Sequence, residues 1–489
     1  MKLDRRSVSI GLLSLPLLAH PSARASSSPA LALHAINRLG YGPKAGELQR
    51  WSALDWAELV EQQLSPSSLA LPADLQSRLE ALQARQQPLP ERVRAYREAE
   101  RRANAAKDEK GGENERRELV QAHLQDASEA RLLRALQSPR QLEERLVEFW
   151  FNHFNVFMGK GPLRVMVGDY EAEAIRPHVL GRFRDLLGAT AKHPAMLFYL
   201  DNWMSSGPAN MPDARRMRAN PRRPQGLNEN YARELMELHT LGVDGGYTQR
   251  DVTELARVLT GWSIDRRGSG RFEFDEARHD SGSKEWLGQS VPGRGQRQGE
   301  WALDQLARHP KTAQRIAFKL AQHFVADQPD PQLVAATAQS FLQTDGDLRA
   351  TTRTLLLHPA ARDAAVQGAQ FKSPYRFVLS LLRATGYTPE GGDAWMPVLQ
   401  GLRGLGQPLF GCVTPDGYKT TRDAWLDPEA LTRRAELASR LAQRLQPAPE
   451  ALLATLGPAI SSATRSAVAQ QPVRQQAALL LGSPDFQNA

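Results

Sequence analysis

The sequence predicts an all-α protein: a multi-helix globular core with a duplicated helix-pair unit, long irregular insertions and at most a short hairpin. Three observations carry this. Apolar residues recur three and four positions apart through most of the chain, the period of an amphipathic helix. Only Arg271-Phe272-Glu273-Phe274-Asp275 alternates as a strand does. Two distant stretches also share one pattern. Arg145 to Phe154 aligns without a gap with Arg315 to Phe324, and Phe183-Arg184…His193-Pro194 aligns with Leu348-Arg349…His358-Pro359. Pro139 and Pro310 precede them at nearly equal distances, so residues 138–200 and 309–362 read as a repeated unit.

The elements follow in order. Leu31, Leu33, Ile36 and Leu39 give a helix that the breaker Gly40-Tyr41-Gly42-Pro43 ends, and Leu54 to Leu64 give a second. These belong to an N-terminal helical segment, 26–96. Residues 97–118 hold seven basic and seven acidic side chains around Gly111-Gly112, which reads as a solvated helical hairpin or a mobile insertion. The main helical domain spans 119–400, with insertions at 204–227 and 264–300. Leu142, Leu146, Phe149, Trp150, His153 and Phe154 mark one of its helices. Asn228 caps another, which carries Tyr231, Leu235, Leu238 and Leu241 and stops at Gly242. Thr248-x-x-Asp251 forms a capping box with Asp in place of Glu. The segment 401–489 is irregular up to about 428 and then helical.

Composition sets the class. The chain has 489 residues, 41% hydrophobic and 24% charged, which excludes a disordered, collagen-like or membrane-bundle protein. A single cysteine, Cys412, excludes an internal disulfide, a CxxC redox pair and a thiolate zinc site; a buried structural thiol is the better reading of it. No G-x-S-x-G and no P-loop is present.

The N-terminus reads as an export signal. Lys2, Arg5 and Arg6 precede the apolar run Ile10–Leu18, too short for the ~20 residues that cross a bilayer. Ala23-Arg24-Ala25 then offers a cleavage site, with the mature chain starting at Ser26 and a periplasmic or secreted destination. Arg5-Arg6 points to the twin-arginine route; a general secretory signal that contains two arginines is the competing reading. Residues 1–25 carry four basic side chains and one acid, so cleavage lowers the net charge from +8 to +5. That mild excess, in an exported chain, argues against a nucleic-acid partner. No later segment reaches transmembrane length.

Several motifs are distinctive in order and spacing: Phe149-Trp-Phe-Asn-His153-Phe, Tyr199-Leu-Asp201-Asn202, and Asn228-Glu-Asn-Tyr-Ala-Arg-Glu-Leu-Met-Glu-Leu-His239-Thr-Leu-Gly242. Asp251-Val…Leu259-Thr-Gly-Trp262, Arg278-His279-Asp280…Lys284, Gly406-Gln-Pro-Leu-Phe410 and Thr414-Pro-Asp-Gly-Tyr418 follow. Together they resemble the bacterial family called domain of unknown function 1800, over nearly the whole mature chain. The resemblance implies an exported, largely helical protein, often encoded beside a second exported protein that is a candidate partner. It supplies no reaction. One departure is Phe151, where family members often carry a second histidine.

Three groups of residues could carry chemistry. His153 and Glu234 combine imidazole and carboxylate, a donor set suited to a divalent metal. The neighbouring motif residues Asn152, Asp201, Asn228, Glu229, Arg233 and Glu237 frame them. The competing reading has these groups satisfied between helices. His279, Asp280 and Lys284 on an irregular loop could do acid–base work, or could tie that loop down. Arg215, Arg216, Arg218, Arg222 and Arg223 could clamp an anionic substrate or an acidic polymer, or form a solvated loop. Two functions follow. One is an exported binding or assembly protein at the cell envelope or on an extracellular polymer. The other is a metal-assisted hydrolase acting on an anionic envelope or polysaccharide substrate.

Overall fold

The computed structural model describes residues 27–84, 87–105, 111–207, 226–265 and 269–489. The helices that frame the site are α1 (Pro29–Leu39), α2 (Gly111–Gln137), α3 (Gln141–His153), α4 (Phe183–Lys192), α5 (Asn230–Glu237), α6 (Gln249–Val258), α7 (Gln296–Arg308), α8 (Pro310–Phe324), α9 (Pro331–Gln343), α10 (Leu348–Leu357), α11 (Pro374–Thr385) and α12 (Pro428–Leu445). Helices dominate throughout, as the apolar period requires. Among the described residues none is long and apolar enough to cross a membrane. The described residues of the charged stretch fall at the end of the helix Leu89–Ala105 and the start of α2, which pack together, with Arg102 reaching Glu115 at 2.9 Å across the pair.

Among the described residues two small antiparallel sheets interrupt the helices, one more than the sequence suggests. β1 (Trp262–Ile264) pairs with β2 (Phe272–Phe274). β3 (Glu285–Trp286) pairs with β4 (Gln289–Ser290) through a two-residue turn in which Leu287 and Gly288 both have positive φ, 49° and 74°. A leucine is a poor signal for such a turn, which favours Asn-Gly. The Leu287 N–H donates to Asp251 Oδ1 at 2.9 Å, which fixes the unusual residue in place.

Helix starts explain much of the connectivity. Thr248 and Asp251 form the predicted capping box on α6. Asn228 Oδ1 accepts from the Asn230 N–H at 2.9 Å at the start of α5, which ends at Glu237, several residues before Gly242. Among the described residues three His-Pro pairs act as N-caps: the rings of His193, His309 and His358 accept from the N–H two residues on, at 3.1, 3.1 and 3.2 Å, with proline at the first helical position. The ring nitrogen does the work usually given to Ser or Asp, and proline there has no N–H to satisfy. The backbone ahead of α4 and α10 is joined reciprocally: the Phe183 N–H donates to the Gly346 carbonyl and the Leu348 N–H to the Gly181 carbonyl, both at 2.8 Å.

Among the described residues the apolar side chains gather in two large cores and a small third cluster around α1. The larger surrounds α3, α4, α8 and α10; the second surrounds the C-terminal part of α2 with α11 and α12. Trp150, Trp262 and Trp286 are fully buried, as core packing predicts for large aromatic residues. Phe151 and Phe410 belong to the first core and Tyr375 to the second, and the site described below lies at the seam between them.

Five buried histidines are held neutral. Burial pushes His34 and His193 down to about 4 and His239 to about 3, and it takes His153 and His323 well below their ordinary value. Below pH 6.5 the unfolded chain binds protons that these rings refuse, so folding loses stability as pH falls from about 6.5 toward 4. Thermal unfolding should show a lower Tm at pH 4.5 than at pH 7. An unchanged Tm would contradict this account.

Candidate functional site

The site is built on α3. Eleven of its residues are buried, among them the polar Gln141, Glu144, Arg145, Glu148 and His153. Arg145, Glu148 and Asn152 stand at i, i+3 and i+7 and share one face. Phe149 and His153 turn toward α8, which crosses α3 antiparallel. Arg145 Nη2 donates to the His323 carbonyl at 3.4 Å near one end of the crossing, and Lys319 Nζ lies 3.0 Å from His153 Nδ1 near the other.

The Asn152 face holds the C-terminal loop, 407–420. Asn152 donates to the Tyr418 carbonyl at 2.9 Å and accepts from the Tyr418 N–H at 2.8 Å, so one side-chain amide pairs with a backbone as a strand would. Asn155 donates to the carbonyls of Cys412 and Thr414, and Tyr199 OH donates to that of Val413. Gly417 has φ 75°, and a Cβ there would lie 2.2 Å from the Asn152 carbonyl oxygen.

A cavity of about 60 Å³ lies between α3, the start of α11 and this loop. Arg131, Arg145, Glu148, Asn152, Arg376 and Tyr418 contribute to its wall. Arg131 pairs with Glu171 at 3.0 Å, and its guanidinium sits over the rings of Phe151, Tyr375 and Phe410 at 5.0–5.3 Å. Glu171 also accepts from Arg176, which meets Glu144 bidentately, so this network balances two cations against two anions. Arg145 pairs with Glu148 at 2.6 Å. Arg376 donates to Gln370 Oε1 at 2.6 Å and to the Asn37 carbonyl at 3.0 Å, and Arg38 donates to the same Gln370 oxygen at 2.6 Å. Burial, together with Arg145 and Arg38, holds Arg376 well below its ordinary value; burial and Arg145 push Arg38 down to about 9.

His153 and Glu234, the pair the sequence offers as metal ligands, stand on α3 and α5. His153 Nε2 faces the His239 carbonyl at 3.0 Å and therefore donates, which leaves Nδ1 to accept from Lys319. Both ring nitrogens are thus engaged by protein groups. Glu234 is half-buried on α5, and burial and Glu237 raise its carboxyl. Its backbone carbonyl accepts from the His239 N–H at 3.0 Å. Among the described residues no three His, Cys, Asp or Glu side chains come together as a metal-ligand set.

His279, Asp280 and Lys284 do come together, buried in one loop. His279 lies 2.8 Å from the Thr260 carbonyl through Nδ1 and 3.1 Å from Gln298 Oε1 through Nε2. Lys284 donates to that same Gln298 oxygen and to the carbonyls of Asp280 and Gly282. Burial works to raise the Asp280 carboxyl, but hydrogen bonds from Arg257 and the Gly282 N–H hold it below its ordinary value. Each of these polar groups ties the loop to α6 or α7.

Glu229, Arg233 and Glu237 form a half-exposed network on α5 in which Arg233 reaches both carboxylates and Gln249. Asp201 pairs with Lys160 at 2.8 Å, and Asn228 donates to the Asp201 carbonyl. Arg215, Arg216, Arg218, Arg222 and Arg223 lie outside the described residues. Sequence reasoning missed Lys319, Arg376 and Arg38. The available signal was a cation at a core-facing position, as in Tyr375-Arg376-Phe377-Val378. Burial and Arg315 push the Lys319 amine down to about 7, against the pull of Asp416.

The clasp between α3 and the loop can be tested by urea unfolding. Gly417→Ala strains a left-handed residue and drives a methyl into backbone, and should cost roughly 2–4 kcal/mol. Asn152→Ala strands the Tyr418 backbone and should cost about 1–3 kcal/mol. Losses below ~0.5 kcal/mol in both, the range of ordinary surface substitutions, would show that the clasp is not needed.

A family model described as protein of unknown function (DUF1800) matches residues 34–488. No curated protein and no solved structure matches the chain. With nearly its whole length covered, the chain belongs to the DUF1800 family.

Proposed function

We propose that the protein is exported and binds a partner or polymer at the cell envelope or outside it, with the cavity between α3, α11 and the 407–420 loop as its ligand site. One observation carries this reading. Segments far apart in sequence, around residues 145–155, 370–376 and 407–420, converge on one cavity, and two of the motif residues, Asn152 and Tyr418, hold its wall together. Convergent polar groups around a preformed concavity are the usual mark of a ligand site. Export is supported by Arg5-Arg6, the apolar run and Ala23-Arg24-Ala25.

The test has two parts. Mass spectrometry of cell fractions should find a chain beginning at Ser26 in the periplasmic or secreted fraction. That chain should co-sediment with isolated envelope material or an acidic extracellular polysaccharide, and Thr420→Trp, which fills the cavity mouth, should abolish this while leaving Tm unchanged. A chain that keeps residues 1–25 in the cytoplasm, or a variant that sediments like wild type, would overturn the reading.

A hydrolytic role is the second reading, favoured by Lys319. A half-buried amine that is partly neutral near pH 7 and lies 3.0 Å from a histidine can accept a proton from water. Release of soluble fragments from the bound material, lost in Lys319→Met with binding intact, would support it. Equal release by the variant, or none by wild type, would exclude it.

A further inference from the structure

The charges around the cavity do not balance. Arg38, Arg145 and Arg376 are all buried, at 1%, 0% and 5% exposure, and are drawn together around Gln370 and α3. Glu148 pairs with Arg145. Among the described residues neither Arg38 nor Arg376 has a carboxylate within 4 Å; both lean on the one amide oxygen of Gln370 and on backbone carbonyls. Asp327 offsets part of the Arg38 charge from further away. The neighbouring Arg131–Glu171–Arg176–Glu144 network is neutral and cannot make up the difference. The Nε atoms of Arg38 and Arg145 are buried without a hydrogen-bond partner.

Burying a cation without a counter-charge is strongly unfavourable. A fold that gathers three guanidiniums against paired Glu148 and the more distant Asp327, beside a cavity, is therefore incomplete without an anion. Resting on the reading of the cavity as the ligand site, we propose that the group it takes is a phosphoryl group, held by Arg145 and Arg376 with Arg38 behind them.

Size and charge select that class. A water needs roughly 10–15 Å³ of cavity, so about 60 Å³ admits a handful of oxygen-sized atoms: one tetrahedral oxyanion, and not a sugar ring. Three guanidiniums face only Glu148 and the more distant Asp327, so at least one positive charge is left over. A phosphate monoester carries about −1.5 to −2 at neutral pH, whereas a carboxylate carries one charge. Guanidinium forks match phosphoryl oxygens in pairs. Any remainder of the ligand lies outward past Thr420 and Lys419, at the mouth.

The experiment is isothermal titration of the mature protein at pH 7.5 with inorganic phosphate, glycerol phosphate and acetate. Phosphate should bind, with acetate at least about tenfold weaker. Glycerol phosphate binding more tightly than inorganic phosphate would identify a phosphate monoester, such as the terminal phosphate of a lipid or polymer; equal affinity would identify free phosphate. Arg376→Met should weaken phosphate at least tenfold, and so should Thr420→Trp, which leaves every guanidinium in place and guards against a folding defect in the first variant. No binding to wild type at about 10 mM phosphate would overturn the proposal, as would undiminished binding in both variants or acetate binding as tightly as phosphate. If envelope sedimentation persists while phosphate fails to bind, the cavity remains a ligand site and only its phosphoryl specificity is lost.

Discussion

Burying a helix that carries charge is the constraint on which the rest of this structure depends. Helix α3 is sealed on nearly every side, yet it brings Glu144, Arg145, Glu148 and His153 inside with it. Each polar group taken from water demands a partner, and the fold is arranged to supply them. Arg176 reaches back to Glu144, the His323 carbonyl and Glu148 meet Arg145, and the His239 carbonyl and Lys319 meet His153. Asn152, at the last turn, turns the same demand outward and clasps the C-terminal loop.

Satisfaction is uneven, and the unevenness locates the site. On the α2 side the arginines and carboxylates match. At Gln370 they do not, and the groups there come from α1, α3 and α11. The loop that carries His279, Asp280 and Lys284 is the contrast: its polar side chains are as buried, but each is consumed by a neighbour within α6, α7 or the loop itself. Polar burial that closes on itself supports a fold, whereas polar burial that leaves charge over beside a cavity calls for a ligand.

Much of the fold was legible because helix signals are local. The apolar spacing of α3 and the Thr248–Asp251 box can be read within one turn of chain. The hairpin was half legible. Phe272–Phe274 alternates, but its partner Trp262–Ile264 is buried at every position and shows no alternation. The His-Pro caps escaped because histidine is not among the residues normally sought at a helix start. In the site, Asn152 and Tyr418 announced themselves through motif spacing. Arg38 and Arg376 did not, because more than three hundred residues separate them and each sits in an apolar run that reads as core. Their meaning depends on meeting at one glutamine, which only the folded chain reveals.

Crystals of residues 26–489 grown from phosphate buffer would show whether the buried arginines hold an anion. Tetrahedral density is expected within hydrogen-bond distance of Arg145 and Arg376, with the Asn152–Tyr418 clasp closed beside it. A cavity that holds only water, with both guanidiniums ordered in the positions described, would contradict this expectation and make the buried arginines a structural cost that the fold bears without a ligand.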